Sequence, residues 1–173
     1  MAIKVAQFLD VAEGTQANQF SVGGHDEINS LDELPAIYKQ LIDEANPVIL
    51  GLIGNDGRVN QTPMWFDYDG DKWLLNVATH RKKVEWIRNN GKLSGIIVNP
   101  ANSYHWMSIK ATIEREILED DPAEGDYVTN HLNKIWVKYI GDGDTYQLRD
   151  PSFEERRVLF VAKIDRVAVF GKP

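Results

Sequence analysis

The chain has 173 residues with a formal net charge of −7, 43% hydrophobic and 26% charged residues, and no cysteine. This is enough for one domain with a real core and short for two. The missing cysteine excludes disulfides, thiol catalysis, iron–sulfur clusters and Cys-ligated zinc, and the acidic balance argues against general nucleic-acid binding. His25, His80, His105 and His131 form no HxxxH or HxH pair, so no metal site is expected. No apolar run approaches the roughly 20 residues of a membrane span, and Met1 to Asp10 lacks the pattern of a secretory signal, so a cytoplasmic, non-membrane protein is expected.

Residues 1–29 read as an irregular arm, with Gly, Thr, Gln, Asn and Ser crowded between Glu13 and Gly24. The domain proper is expected over 30–173. Ser30 and Glu33 form an S-x-x-E capping box, after which Leu34, Ile37, Tyr38, Leu41 and Ala45 recur at helical spacing to about Asn46. Pro35, close behind the cap, loosens the exact start. Pro47 ends the helix, and the period then changes to that of strands: Val48 to Ile53, Val59 to Tyr68 and Lys72 to Ala78, turned by Asn55-Asp56-Gly57 and Asp69-Gly70-Asp71.

Thr79 to Asn90 predicts a short helix closed by Asn90-Gly91, followed by a buried strand from Leu93 to Asn99. Between His105 and Leu118, Met107, Ile109, Ala111, Ile113 and Ile117 alternate with polar residues, as in a long strand. Pro122 to Tyr139 predicts a helix with Val128, Leu132, Ile135 and Trp136 on one face. Gly141 to Asp150 is expected as loop, and Arg157 to Lys163 and Asp165 to Phe170 as two last strands. Antiparallel strands with helices between them imply an α+β barrel.

Two segments carry chemistry. Asn76 to Lys83 leaves a strand and enters a helix, so free N–H groups and the positive helix end meet Arg81, Lys82 and Lys83. Arg81 can grip phosphate oxygens with its forked guanidinium, and Lys83 adds a point charge. Alone, the cluster reads more readily as a solvated basic helix face. In Gln61-Thr62-Pro63-Met64-Trp65-Phe66, a proline inside a strand marks an edge or bulge whose free backbone groups suit a planar heterocycle. Alone, this too reads first as an edge strand with a buried Trp-Phe pair.

In order, however, the N-D-G turn, T-P-M-W-F, the D-G-D turn and T-x-R-x-K opening a helix resemble the split β-barrel flavin and deazaflavin oxidoreductases related to pyridoxamine 5′-phosphate oxidase. The resemblance covers about residues 34–170. It is closest to the branch that includes enzymes using coenzyme F-420. It implies an antiparallel split β-barrel with peripheral helices that binds FMN or F-420. Thr62, Pro63, Met64 and Trp65 would line the ring, Arg81 and Lys83 would hold the phosphate, and Asn76 and Thr79 would add polar and backbone contacts. The implied activity is hydride transfer between that cofactor and a small organic substrate. The alternative is a flavin, deazaflavin or haem carrier without turnover.

The resemblance further implies a homodimer with two interface sites, which Tyr104, Trp106, Trp136 or Tyr139 of a second subunit would complete. Ala111 stands where relatives usually place glycine. Arg157 to Pro173 lacks the arginine-rich substrate motif of a true pyridoxamine phosphate oxidase. No catalytic acid or base is identified: His80 and His105 have the chemistry, but a lone histidine is more often structural.

Overall fold

The computed structural model describes residues 2–8 and 22–173. Among the described residues nine strands form one sheet in the order β2-β1-β9-β8-β7-β3-β4, with β6 sharing one edge of β9 with β1, and β5 paired to β6. The strands are β1 (Ile3–Phe8), β2 (Val22–Ile28), β3 (Val48–Ile53), β4 (Val59–Met64), β5 (Asp67–Asp69), β6 (Lys72–Ala78), β7 (Lys92–Asn99), β8 (Asn102–Leu118) and β9 (Arg157–Phe170). The helices are α1 (Ala36–Asp43), α2 (Lys82–Asn89) and α3 (Gly125–Ile140). This is the expected α+β architecture, a curled and split sheet with helices outside it.

The fork in the sheet is made by β9. Its first half, Arg157 to Lys163, pairs antiparallel with β6, while Arg166 to Phe170 pairs parallel with β1. Along its other edge β8 follows nearly the whole strand. The two last strands expected from sequence are therefore one. Their join falls at a bulge, where Lys110 faces Arg166 but Ala111 faces Ile164, so Asp165 is passed over. A second slip between Ile113 and Arg115 interrupts the alternation of β8, leaving Arg115 exposed beside Glu114 and Glu116.

Three further expectations are corrected. The arm is not irregular at its ends: β1 and β2 pair with one another, and Ile3 is fully buried. Residues 9–21 of the arm lie outside the described residues. The helix predicted from Ser30 is divided by Pro35. Ser30 caps a 3₁₀ turn, Leu31–Glu33, accepting from the Asp32 N–H at 3.0 Å, while Glu33 accepts from the Asn29 N–H at 3.1 Å. Pro35 then stands as the N-cap of α1, a place where its missing N–H costs nothing. Finally, the strand expected over Val59 to Tyr68 breaks at Trp65 and Phe66 into β4 and β5.

One core fills the curl, built from Trp73, Phe66, Leu50, Ile97, Met107, Phe160 and their neighbours. Gly95 of β7 is what lets the wall close on that core. A Cβ there would lie 2.6 Å from both Trp73 Cη2 and Val48 Cγ2. Ala111, buried between β7 and β9, makes no such demand.

Candidate cofactor cavity

Four pieces of chain surround a cavity of about 510 Å3: β4, the end of β6 with the start of α2, the inner face of α3, and the segment from Gly141 to Arg157. It falls within the roughly 300–1,000 Å3 typical of small-molecule sites. Thr62, Pro63, Met64 and Trp65 line it from β4 and the break that follows. β4 is the terminal strand of its path and pairs only with β3, so Pro63 sits where an N–H is dispensable. Asn76, Arg81 and Lys83 line it from the other side. Thr79 does not join them. It borders a neighbouring depression with His80, Lys82 and Arg88, and its N–H donates to the Arg156 carbonyl at 2.9 Å.

The electrostatics favour an anion. Arg81 is the N-cap of α2, and its side chain makes no capping hydrogen bond. The guanidinium is exposed and makes no hydrogen bond or ion pair among the described residues. Lys83 is half-buried and donates to Thr62 Oγ1 at 3.0 Å, which ties the basic cluster to the proline strand. Burial pushes the Lys83 ammonium down from its ordinary pKa, and the neighbouring Arg81 charge adds to this. Two like charges and an uncapped helix start thus face one space, where a bound anion relieves their repulsion. Lys82 takes no part: it pairs with Glu85 on the outer face. Arg88 is held by Glu116, 2.5 Å away.

Trp65 faces α3. Its ring stacks on Tyr139 with centroids 5.1 Å apart and planes 10° off parallel, and meets Trp136 at 6.3 Å and 61°. Tyr139 explains the break beside it. Its hydroxyl donates to the Asn46 carbonyl at 3.0 Å and lies 3.4 Å from the Phe66 nitrogen, so it replaces ladder partners that the broken strand lacks. Trp136 and Tyr139, expected to reach a second subunit's site, therefore pack within their own chain. Trp106 stacks on Phe170 at 5.8 Å, and Tyr104 is 73% exposed. His105 is fully buried, with Nδ1 3.1 Å from Asn99 Nδ2, and does not line the cavity. His80 lies against Phe153 outside it.

Sequence reasoning missed the opposite wall. Leu132 and Ile135 come from α3, Tyr146 and Leu148 from the loop, and Glu155 and Arg157 from the approach to β9. The register that sets Arg157 across from Ala78 brings this pair to the site. No spacing in the sequence announces it.

The family model described as Pyridoxamine 5′-phosphate oxidase matches residues 34–170. The chain belongs to the pyridoxamine 5′-phosphate oxidase family. Solved structures of similar fold include an F420 reductase, at 22% identity and a TM-score of 0.60, covering 78% of this chain and 98% of that one. The General Stress Protein 26 of Bacillus anthracis aligns at 17% identity and a TM-score of 0.53, covering 79% and 92%. HutZ, the heme storage protein of Vibrio cholerae, aligns at 11% and 0.55, covering 78% and 92%. No curated protein matches the chain. At these identities the structures show the shared oxidase-family fold. Among the described residues no helix is long and apolar enough to cross a membrane, and no group of three or more His, Asp or Glu residues is arranged to hold a metal ion.

Proposed function

We propose that this chain is an oxidoreductase of the pyridoxamine 5′-phosphate oxidase family that holds FMN or coenzyme F-420 in the cavity and transfers hydride between that cofactor and a small organic substrate. The observation that carries this is the meeting of Arg81 and Lys83 with the Thr62–Trp65 strand around one space, joined by the Lys83–Thr62 hydrogen bond. Arg81 and Lys83 bind the phosphate. Pro63 and Met64 support the ring, and Asn76 closes the polar side. The ring itself supplies the hydride chemistry, so the chain's task is to bind, orient and exclude water. The same reading places the protein in the cytoplasm as a homodimer.

A titration with FMN and with F-420, followed by absorbance and fluorescence, tests the site. Arg81→Ala combined with Lys83→Ala weakens binding by several kcal/mol, since charge-assisted hydrogen bonds contribute about 1.5–3 kcal/mol each. Unchanged affinity for both cofactors would sink the assignment. The second reading, a carrier without turnover, is favoured by the likeness in fold to a protein described as a heme storage protein. Reduction and reoxidation of the bound cofactor in the presence of organic acceptors separates the two, and including haem in the titration separates the cargoes.

A further inference from the structure

The cavity has a second polar point, far in sequence from Arg81 and Lys83. Arg157 is 8% exposed, and its charge is met by an ion pair with the equally buried Glu155. Its Nη2 donates to the Tyr146 hydroxyl at 2.8 Å, and its guanidinium carbon lies 4.7 Å from the centre of the Tyr146 ring. Arg157 Nε is buried and has no hydrogen-bond partner among the described residues. Tyr146 is fixed from two other sides. Its N–H donates to Asn133 Oδ1 at 3.0 Å, and its ring meets Trp136 edge-on at 5.7 Å.

A phenol that accepts a charge-assisted bond still has its own proton to give. Among the described residues no acceptor takes the Tyr146 proton. A buried ion pair is a weak source of stability and is costly when half-satisfied, so one set in a cavity wall beside an undonated phenol calls for a function. Glu155 cancels the charge of Arg157. This point therefore differs from the Arg81–Lys83 end: a second phosphate or carboxylate would be repelled by Glu155, whereas a neutral acceptor would not.

We propose that Tyr146, held in place by the Arg157–Glu155 pair, donates a hydrogen bond to a neutral carbonyl oxygen on the ring of the bound cofactor and so selects for that ring. This rests on the cofactor reading above. The cavity then recognises its ligand at two chemically distinct ends, an anion at Arg81 and Lys83 and an uncharged acceptor at Tyr146.

Three probes separate the ends: FMN, lumichrome (the carbonyl-bearing ring without the phosphate) and D-ribose 5-phosphate (the phosphate without the ring). Each is titrated calorimetrically against the full chain and its variants. Tyr146→Phe weakens FMN and lumichrome about tenfold, the effect of one lost hydrogen bond, and leaves ribose 5-phosphate unchanged. Arg157→Lys keeps a cation beside Glu155, loses the guanidinium that bonds the Tyr146 hydroxyl and packs on its ring, and shifts the same two ligands in the same direction. The Arg81→Ala, Lys83→Ala double variant does the reverse, losing FMN and ribose 5-phosphate while keeping lumichrome. Unaltered FMN and lumichrome affinity in Tyr146→Phe overturns the inference and leaves the phosphate end standing. An equal loss of all three ligands also overturns it, because the loop then acts as scaffold alone. Failure of the unaltered chain to bind FMN, F-420 and ribose 5-phosphate alike removes the cofactor reading itself, and this inference with it; where F-420 binds and FMN does not, F-420 takes the place of FMN in the series.

Discussion

Lys83 holds a cavity-lining position at a cost to folding. Its ammonium is half-buried and lies near a second cation, and both conditions push its pKa down. The folded chain thus binds this proton less readily than the unfolded chain, whose lysine titrates near 10.5. The penalty is present at neutral pH and is relieved as the pH rises from the lowered value toward 10.5. Lys83→Met is therefore expected to raise the thermal midpoint of the ligand-free protein at pH 7 while weakening phosphate binding. A lower midpoint in differential scanning would show that the Thr62 hydrogen bond outweighs the burial. At this scale half of the cavity was legible. Arg81 and Lys83 stand two positions apart at the start of a helix, and Thr62 to Trp65 are a run with a misplaced proline. Tyr146, Glu155 and Arg157 were not legible: strand register sets Arg157 across from Ala78, and side-chain bonds from Asn133 and Arg157 hold the loop residue Tyr146, neither of which leaves a spacing to read.

Among the elements, α3 has the most varied duties. It supplies Leu132 and Ile135 to the cavity, stacks Tyr139 and Trp136 on Trp65, and carries His131 into the protein interior. Neither His131 ring nitrogen finds a hydrogen-bond partner among the described residues, and burial pushes its pKa down to about 4. Asp67 on β5 opposes that shift, while Lys134 and Lys138 on α3 reinforce it. Because the folded value lies below the unfolded 6.5, His131 favours folding fully above pH 6.5, and that contribution is lost as the pH falls toward about 4. His131→Leu is expected to flatten the decline in stability across this window, as read from urea midpoints at a series of pH values. An identical decline in both proteins would assign the acid sensitivity elsewhere. The apolar face of α3 was plain from its spacing, with Val128, Leu132, Ile135 and Trp136 all buried. The break at Trp65 and Phe66 was not, since Tyr139 supplies the replacement partner from 73 residues away.

At the scale of the whole molecule, closure of the sheet depends on a few tight places. Gly95→Ala would drive a methyl group against Trp73 and Val48 in the core. Overpacking of this kind costs about 1–3 kcal/mol. Chemical denaturation measures it, and no shift in the midpoint would mean that the wall yields at this point. The general architecture could be read from the alternating strands and the Asp-Gly turns. The pairing of the arm could not, because Ile3 and Val5 make too short a pattern to stand out and their partner strand lies at the far end of the chain.

That far end has a consequence in time. β9 supplies partners to β6, β8 and β1 together, and it is the last element of the described chain. While the protein is being synthesised, β6, β8 and β1 emerge with hydrogen-bonding edges that β9 satisfies. The sheet must wait, open along that seam, until residues 157–170 arrive. Such long-range pairing is intrinsically slow. The cavity shares this schedule, since Arg157 is the first residue of the strand that closes the seam. Closure of this seam and assembly of the cavity wall are then a single event that waits for β9.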